Sequence, residues 1–238
     1  MSEQTPTIVL VHGAFAESSS WSAVVEQLRS RGHEVVAAAN PLRSVAGDAA
    51  YVRDVVSGIG GPVVLVAHSY GGMVITEAAA RNSAVIGLVY VNAFAPDRDE
   101  SAFELATKFP GSTIGDIVVT YPVSTGGDEL AIRQEEFHQH FAADVPAAQA
   151  AVMAVTQRPA TQAALSEPLP TDAPAWRDLP SWFVFGEQDL IIPAALHRFM
   201  AERAGAKTSR ELAGASHALS VSEPEAVTAT ILEATGSA

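Results

Sequence analysis

The chain has no cysteine, which excludes disulfide bonds, thiolate metal sites and a cysteine nucleophile. Basic side chains are also scarce. The 14 lysines and arginines stand against 27 aspartates and glutamates, so the formal net charge is -13. Because a chain of this charge repels phosphate backbones and anionic lipid headgroups, we expect no nucleic-acid partner and no membrane partner.

Long apolar runs are missing as well. No stretch reaches the roughly 18 apolar residues of a membrane span, and residues 1–6 lack the basic and apolar segments of a secretory signal. A cytoplasmic location is therefore the expectation. Apolar residues make up 48% of the chain and charged residues only 17%, which predicts a folded protein with a sizeable core.

Short apolar runs alternate with amphipathic stretches over about the first 91 residues, a pattern typical of a parallel sheet with right-handed crossovers. The pattern resumes near the C-terminus. The predicted strands are residues 7–11, 34–38, 63–66, 86–91, 182–185 and 209–212. The predicted helices are residues 21–28, 51–59, a stretch directly after residue 69, residues 194–204 and a last helix capped by Ser222.

The alternation stops between residues 96 and 178. Helical patches at residues 129–141 and 147–155 lie there among segments rich in Gly, Pro, Ser and Thr. We predict that residues 96–178 form a cap inserted over a core of residues 1–95 and 179–238. Four large apolar residues of this stretch either line a substrate pocket or pack the cap on the sheet: Phe137, Phe141, Met153 and Trp176.

One strand ends in a turn that exposes a serine. Residues 63–74 read VVLVAHSYGGMV, in which a β-branched run ends at Ser69 and a helical pattern begins at once. The small residues Ala67 and Gly71 let that helix start close against the strand. The nucleophile elbow is written G-x-S-x-G, and Ala67 occupies its first glycine position. We therefore expect Ser69 to be a nucleophile held in a strained backbone conformation.

A serine hydroxyl needs a base within hydrogen-bond reach and a third group that orients the base. Asp189, with Glu187 as a neighbouring contender, follows the predicted strand 182–185, and His217 follows strand 209–212. Because the loops after parallel strands open on one edge of a sheet, Ser69, Asp189 and His217 are expected to converge there.

The order Ser, Asp, His and three separated motifs give the chain a resemblance to the α/β-hydrolases over essentially its whole length. It is most similar to the small capped branch that includes plant methylesterases and hydroxynitrile lyases. The motifs are HGAF at residues 12–15, AHSYG at residues 67–71, and GEQD at residues 186–189 with SH at residues 216–217. The resemblance implies an α/β protein with a mostly parallel sheet of about six strands, helices on both faces and a helical cap inserted after Val91.

The resemblance also implies roles for the three converging residues. Ser69 is the expected nucleophile, His217 the general base and later acid, and Asp189 the carboxylate that fixes the imidazole tautomer. The implied activity is that of a serine esterase, which cleaves a small, rather apolar carboxylic ester or lactone through an acyl-enzyme intermediate. We expect a small-molecule ester substrate, no cofactor and no metal; the oligomeric state stays open.

The negative tetrahedral intermediate of such a reaction needs preorganised donors. The resemblance assigns this oxyanion hole to the backbone N–H groups of Ala14 and Tyr70, with Phe15 beside them as a substrate contact.

Three other functions stay open: a hydroxynitrile lyase, a cofactor-free oxygenase on the same fold, and a non-catalytic ligand receptor. The lyases that resemble this chain carry a lysine directly after the triad histidine and a threonine in the oxyanion loop. This chain has Ala218 and Gly13 at those positions, which favours ester hydrolysis.

The other histidines are predicted to serve structure rather than chemistry. His12 and His68 lie at strand ends and are expected to be packed and hydrogen-bonded. His138 and His140 lie near Glu135 and Glu136, a spacing compatible with a metal site, but a solvated helix face is the preferred interpretation. The remaining two are expected at the surface: His33 and His197.

Overall fold

A computed structural model describes residues 5–124 and 126–237. The strands in this part of the chain are β1 (Thr7–Val11), β2 (Val35–Ala38), β3 (Val63–Ser69), β4 (Val85–Ala93), β5 (Val118–Pro122), β6 (Asp128–Ile132), β7 (Ala160–Thr161), β8 (Ser181–Gly186) and β9 (Thr208–Leu212). None of the helices described is both long and apolar enough to cross a bilayer.

The α-helices are α1 (Ser22–Ser30), α2 (Val45–Ile59), α3 (Gly71–Ala78), α4 (Ala102–Ala106), α5 (Ile114–Ile117), α6 (Gln134–Phe141), α7 (Ala147–Thr156), α8 (Gln162–Ser166), α9 (Ala194–Arg203), α10 (Leu219–Ser222) and α11 (Pro224–Thr235). Two short 3-10 helices lie at Ser18–Trp21 and Ala175–Arg177.

Six strands form one sheet in the order β2-β1-β3-β4-β8-β9, and every neighbouring pair in it is parallel. Each of the six predicted strands overlaps one of these. The fold class predicted from the sequence is therefore confirmed. The carboxyl ends of β3, β8 and β9, from which the candidate residues follow, lie on the same edge.

Side chains alternate between two buried clusters along the central strands. Val9 and Leu65 face the cluster that includes residues of α2 and α3, whereas Ile8 and Val64 face the cluster built with α1 and α11. Because helices cover both faces of the sheet, β1 and β3 are almost continuously apolar rather than alternating with polar residues.

The segment between β4 and β8 contains a second, antiparallel sheet in the order β5-β6-β7, which the sequence analysis did not predict. The helical interpretation of residues 129–141 is wrong in its first part, because β6 occupies Asp128–Ile132 and α6 starts at Gln134. In β6 the buried residues Leu130 and Ile132 are two apart, the period of a strand. The helix predicted at residues 147–155 is confirmed as α7.

The last helix also starts later than predicted. Ser222 ends α10 instead of capping α11, and its hydroxyl lies 3.5 Å from the Ala218 carbonyl oxygen. Helix α11 begins at Pro224, with Glu223 as an N-cap that makes no side-chain cap hydrogen bond. Proline favours the first helical position because its φ is already helical and it has no N–H to leave unpaired there.

Candidate active site

The turn between β3 and α3 is very tight. Ser69 ends the strand and Gly71 starts the helix, so only Tyr70 separates them. Ser69 has φ +54°, a left-handed conformation that costs energy for a residue with a side chain. This is the strained conformation predicted for it. A side chain at Gly72 would overlap the Phe94 backbone, so glycine is required there for the helix to start so close to the sheet.

Ser69, His217 and Asp189 form one hydrogen-bonded chain. The Nε2 atom of His217 lies 3.0 Å from the Ser69 hydroxyl oxygen, and its Nδ1 atom lies 2.8 Å from Asp189 Oδ2. A carboxylate only accepts hydrogen bonds, which assigns the imidazole proton to Nδ1 and leaves Nε2 to accept from the serine. Ser69 is 5% exposed and the His217 ring is fully buried. Such an arrangement can remove the serine proton as the hydroxyl attacks.

Asp189 is held by four donors. Its Oδ1 atom accepts from the backbone N–H groups of Ile191 at 2.8 Å and Ile192 at 2.9 Å, and its Oδ2 atom accepts from His217 and from His197. Burial alone would raise the pKa of this carboxyl, but the charge of His217 and the two histidine hydrogen bonds hold it well below its usual range. The exposed contender Glu187 instead accepts from the Gly214 N–H group at 3.1 Å.

The expectation that His197 and His33 are surface residues is wrong. His197 is 1% exposed and His33 is 8% exposed. Helix α9 starts right after the Asp189 loop, and one of its faces is buried. His197 lies on that face, one helical turn before the buried Ala201. Pro193, which precedes α9, could have signalled this, because a helix starting there brings its first turn next to Asp189. His33 lies under the end of α1, where its backbone N–H donates to the Leu28 carbonyl at 3.2 Å.

The backbone of His217 is fixed by two buried side chains. Asn92 donates from Nδ2 to the carbonyl oxygens of Ser216 at 2.7 Å and His217 at 3.0 Å, and it accepts from the Gly186 N–H at 2.8 Å. His68 Nε2 lies 3.0 Å from the same His217 carbonyl. Burial lowers the pKa of His68 from 6.5 to about 3, so the ring is neutral and donates from Nε2. Asn92 was not predicted from the sequence.

The loop after β1, in which the oxyanion hole was predicted, brings Ala14 and Phe15 beside Ser69. Ala14, Phe15, Ser69 and Tyr70 line one pocket. The Phe15 N–H group donates to the Arg158 carbonyl at 3.1 Å. Phe15 itself has φ +61°, so this loop is strained as well. His12, just before the loop, is buried with its Nδ1 atom 2.9 Å from the Gly13 carbonyl, as predicted for a structural histidine.

The Tyr70 side chain is anchored away from the nucleophile. Its hydroxyl donates to Oδ2 of the fully buried Asp48 at 2.9 Å, and the same carboxylate accepts from the Arg43 backbone N–H. Burial raises the pKa of the Asp48 carboxyl, and burial also raises that of the Tyr70 hydroxyl. The contact with Asp48 holds Tyr70, the residue directly after Ser69, whose backbone N–H is the predicted oxyanion donor. Asp48 lies inside α2 and carried no signal in the sequence.

The pocket at Ser69 is apolar and has an empty volume of about 360 Å³. Besides the four residues of the elbow and the oxyanion loop, its lining comprises Phe94, Ala102, Phe103, Ala106, Ile114, Leu165 and Ile191. A second pocket of about 630 Å³ shares Phe15 and is lined by residues that include Met153, Gln157 and Val221.

The three predicted aromatics of the inserted segment, Phe137, Phe141 and Trp176, pack against neighbouring groups and do not line these two pockets. The ring of Phe141 lies 4.7 Å from that of His217 and nearly perpendicular to it, and Phe137 stacks behind Phe141. Trp176 donates from its ring nitrogen to the Pro96 carbonyl at 2.7 Å. Of the four apolar residues that were predicted to line a pocket or pack, Met153 lines the second of these two pockets.

An acidic residue of the inserted segment contacts the catalytic loop directly. Asp144, in the connection between α6 and α7, accepts from the Ser216 backbone N–H at 2.9 Å and from the Ser216 hydroxyl. Ser216 immediately precedes His217. A loop aspartate gives no pattern in the sequence, so this contact was not predicted.

The two cap histidines are engaged with neighbouring groups. His138 Nε2 lies 2.9 Å from the Val145 carbonyl, and His140 Nδ1 lies 2.9 Å from the Thr113 hydroxyl, while its Nε2 is 3.3 Å from Glu136. Within residues 5–124 and 126–237, no group of three or more histidine, aspartate and glutamate side chains is arranged to hold a metal ion.

Comparison with known proteins gives relatives along the whole chain. A carbendazim hydrolyzing esterase from Nocardioides sp. (strain SG-4G) is 36% identical over 116 residues, which cover 42% of this chain and 47% of that protein. Among solved structures, polyneuridine aldehyde esterase superposes with a TM-score of 0.82 at 22% identity, covering 97% of this chain and 99% of that one. A methylesterase from Arabidopsis superposes with a TM-score of 0.77 at 17% identity, with coverage of 97% and 99%.

The two superpositions extend over the sheet and the inserted segment alike. At these identities they show the fold. The sequence profile of the alpha/beta hydrolase family matches residues 8–230, a range that contains the elbow, the oxyanion loop and both later members of the triad. The chain therefore belongs to the alpha/beta hydrolase family.

Proposed function

We propose that the protein is a serine hydrolase that cleaves a small, rather apolar carboxylic ester or lactone. The observation that carries this proposal is the continuous hydrogen-bonded chain from Ser69 through His217 to Asp189, with steps of 3.0 and 2.8 Å, which starts at the wall of an apolar pocket. The family, and relatives that are named esterases, support the broader assignment to ester hydrolysis.

The geometry of Ser69, His217 and Asp189 supports the following course of reaction. The Ser69 oxygen attacks the ester carbonyl carbon while His217 takes the hydroxyl proton on Nε2, and Asp189 stabilises the imidazolium that forms. The carbonyl oxygen becomes an oxyanion, which the backbone N–H groups of Ala14 and Tyr70 stabilise. His217 then passes its proton to the leaving alcohol as the C–O bond breaks. A water molecule, deprotonated by the same ring, attacks the acyl-enzyme, and the collapse of this second intermediate releases the acid and restores Ser69.

The pocket indicates the substrate class. Its lining contains no charged side chain and, apart from Ser69 and the Tyr70 hydroxyl, no polar side chain. An acyl group without charge is therefore preferred, because a carboxylate or ammonium would lose its hydration without gaining a partner. The bulky side chains that close in on Ser69, Phe94, Phe103 and Leu165 among them, favour a short or compact group.

We also propose that residues 96–178 act as the cap of this site, over a core of residues 1–95 and 179–238. Phe103 of α4, Ile114 of α5 and Leu165 of α8 come from the inserted segment and line the pocket at Ser69. The cap, rather than the sheet edge, would then set acyl preference.

The proposal is tested by hydrolysis of p-nitrophenyl esters of increasing acyl length, with simple lactones as a second series. Wild-type protein should turn over the short esters fastest. Ser69→Ala should lower kcat by about 10⁴-fold or more, because the nucleophile acts as a unit with its base. Ser57→Ala is the matched control, since Ser57 lies exposed on α2 and bonds only its own helix. Equal turnover by wild type and Ser69→Ala would contradict the proposal.

The same proteins separate the other functions. A receptor would bind esters without turnover, and an oxygenase would consume oxygen with an aromatic substrate. A lyase would release cyanide from a cyanohydrin. Such lyases carry a threonine at the position of Gly13. In this protein that position has no room for a side chain, because a Cβ atom at Gly13 would lie 2.5 Å from the Ser69 Cβ atom.

A further inference from the structure

Two histidines bind one oxygen of the triad carboxylate. Asp189 Oδ2 lies 2.8 Å from Nδ1 of His217 and 3.2 Å from Nε2 of His197. The second histidine comes from α9, not from the loops at the sheet edge, and it is not among the residues that line the pocket at Ser69. Ester cleavage as described above gives it no role.

His197 is built into its place. It is 1% exposed, and its ring stacks on Phe185 at 5.0 Å with 18° between the planes. Burial lowers the pKa of His197, although the bond to Asp189 opposes this shift. An ionised carboxylate has no proton to give, so the neutral ring must carry its proton on Nε2 and donate it to Oδ2.

We propose that His197 is a positioning residue of the triad: its Nε2–H group shares Oδ2 of Asp189 with His217 and thereby fixes the carboxylate and moderates its hold on the His217 imidazolium. The proposal rests on the proposed function for its kinetic consequences. Its structural content, a neutral donor that competes for one oxygen, does not depend on which ester is cleaved.

Among the titratable groups around His197 and His217, Asp189 is the charge that acts most strongly on both rings. His197 faces Asp189, His217 and, more distantly, Glu211 of β9, while His217 faces Asp189 and the neutral His68 of β3. Glu211 is neutralised by Arg198, which bonds it with two guanidinium nitrogens. Removing the His197 donor therefore concentrates negative charge on the oxygen that faces His217.

A more concentrated negative charge on Asp189 stabilises protonated His217 relative to the neutral ring that catalysis requires, so loss of the His197 donor shifts the acidic limb of kcat/KM to higher pH. In His197→Phe, which keeps a ring against Phe185 but donates nothing, the acidic limb of kcat/KM should move to higher pH by about one unit, the size expected for one hydrogen bond to a charged group. Since Oδ2 is also less constrained, kcat on the plateau should fall by about tenfold.

His197→Gln is the conservative variant, because its side-chain amide reaches as far and still donates. It should return the acidic limb of kcat/KM to within about 0.3 pH unit of wild type. A difference of that size corresponds to less free energy than the loss of one hydrogen bond. His33→Phe is the control, a buried histidine outside the triad. A limb that does not move in His197→Phe, or that moves as far in His197→Gln, would overturn the proposal, since a packing role affects kcat and stability but not this limb.

Nitrogen-15 NMR of the wild-type imidazoles supplies a readout that needs no substrate and no variant. The His197 ring should be neutral with its proton on Nε2 at pH 7 and above, because burial lowers its pKa. A proton on Nδ1, or a protonated ring at pH 7, would overturn the proposal even if esters are hydrolysed. Conversely, absence of ester turnover with the predicted tautomer would count against the proposed function and leave the His197 contact standing.

Discussion

At the residue scale, Gly13 shows how little space separates the oxyanion loop from the nucleophile. A Cβ atom at Gly13 would lie 2.5 Å from the Ser69 Cβ atom and 2.8 Å from the His68 carbonyl oxygen. Both neighbours belong to the strained elbow, where neither can yield without moving the serine. Only a residue without a side chain allows the loop that carries Ala14, the proposed oxyanion donor, to pass this close to Ser69.

Gly13→Ala should therefore lower kcat/KM by about 10²-fold or more, as expected when an oxyanion donor is displaced. The matched control is Gly58→Ala in α2, where an added Cβ atom meets nothing within 4 Å. That change should leave activity intact and stabilise the protein by up to about 1 kcal/mol, the difference in helix propensity. Steady-state kinetics and urea unfolding check both, and an active Gly13→Ala protein would refute the close approach.

His68 makes the stability depend on pH. Burial lowers its pKa from 6.5 to about 3, so below pH 6.5 the unfolded chain binds a proton that the folded chain does not accept until about pH 3. Stability is thus lost as the pH falls through this window, by about 1.4 kcal/mol per pH unit for this one group. His68→Gln keeps a donor toward the His217 carbonyl and does not titrate.

Between pH 7 and pH 5, urea unfolding should show wild type losing about 2 kcal/mol more than His68→Gln, from the linkage slope acting below pH 6.5. Other buried histidines contribute equally to both proteins and cancel. Identical losses would mean that His68 becomes protonated in the folded state.

The sequence revealed residues whose positions follow from topology. Ser69 ends β3, and Asp189 and His217 lie in the loops that follow β8 and β9, so the sheet edge brings them together whatever their separation along the chain. His197 and Asn92 contact the same site from a helix and from a strand end, and their roles depend on side-chain directions that no local pattern specifies. Each is a single polar residue among mostly apolar neighbours, so neither belongs to a periodic pattern that would predict its contact.

At the element scale, the connection between α6 and α7 joins the inserted segment to the catalytic loop. Asp144 accepts two hydrogen bonds from Ser216, and Phe141 packs its ring edge-on against His217. The inserted segment thus contacts the loop of His217, the proposed general base, as well as lining the pocket at Ser69.

Asp144→Ala should lower kcat/KM by about tenfold and stability by about 1 kcal/mol, because the Ser216 N–H loses its acceptor and His217 its alignment. Asp172→Ala is the matched control: its ion pair with Arg81 is exposed on both sides, and such pairs contribute about 0–1 kcal/mol without touching the site. Equal effects of the two substitutions on kcat/KM would show that the Asp144 contact does not position the loop.

Local patterns found the six-stranded sheet but missed the small sheet of the cap. The strands β1 and β3 are buried on both faces, which makes them continuous apolar runs. Strand β6 is half-exposed and five residues long, and it contains the helix formers Glu129, Leu130 and Ala131. Its pairing with β5 and β7 makes it a strand. That pairing is a tertiary effect, which propensity does not contain.

At the scale of the whole molecule, the cap and the sheet share one hydrophobic cluster. Ile132 and Phe137 of the inserted segment belong to the same buried cluster as Val9 and Leu65 of the central strands. Neither part can unfold without exposing apolar surface of the other.

We therefore expect one cooperative unfolding transition. Far-ultraviolet circular dichroism and tryptophan fluorescence should give coincident midpoints in urea, since Trp176 lies in the inserted segment and Trp182 in β8. Two separated transitions would show that the cap folds independently of the core.

The central claim is that Ser69 is a nucleophile activated by His217 and Asp189, and reaction with a fluorophosphonate tests it most directly, because labelling requires no knowledge of the ester. Mass spectrometry after proteolysis should place one phosphonyl group on Ser69 in the wild-type protein. It should find none in Ser69→Ala, and labelling of His217→Ala should be slower by about 10³-fold or more for want of the base. A wild-type protein that does not react, or that is labelled at another residue, would contradict the account.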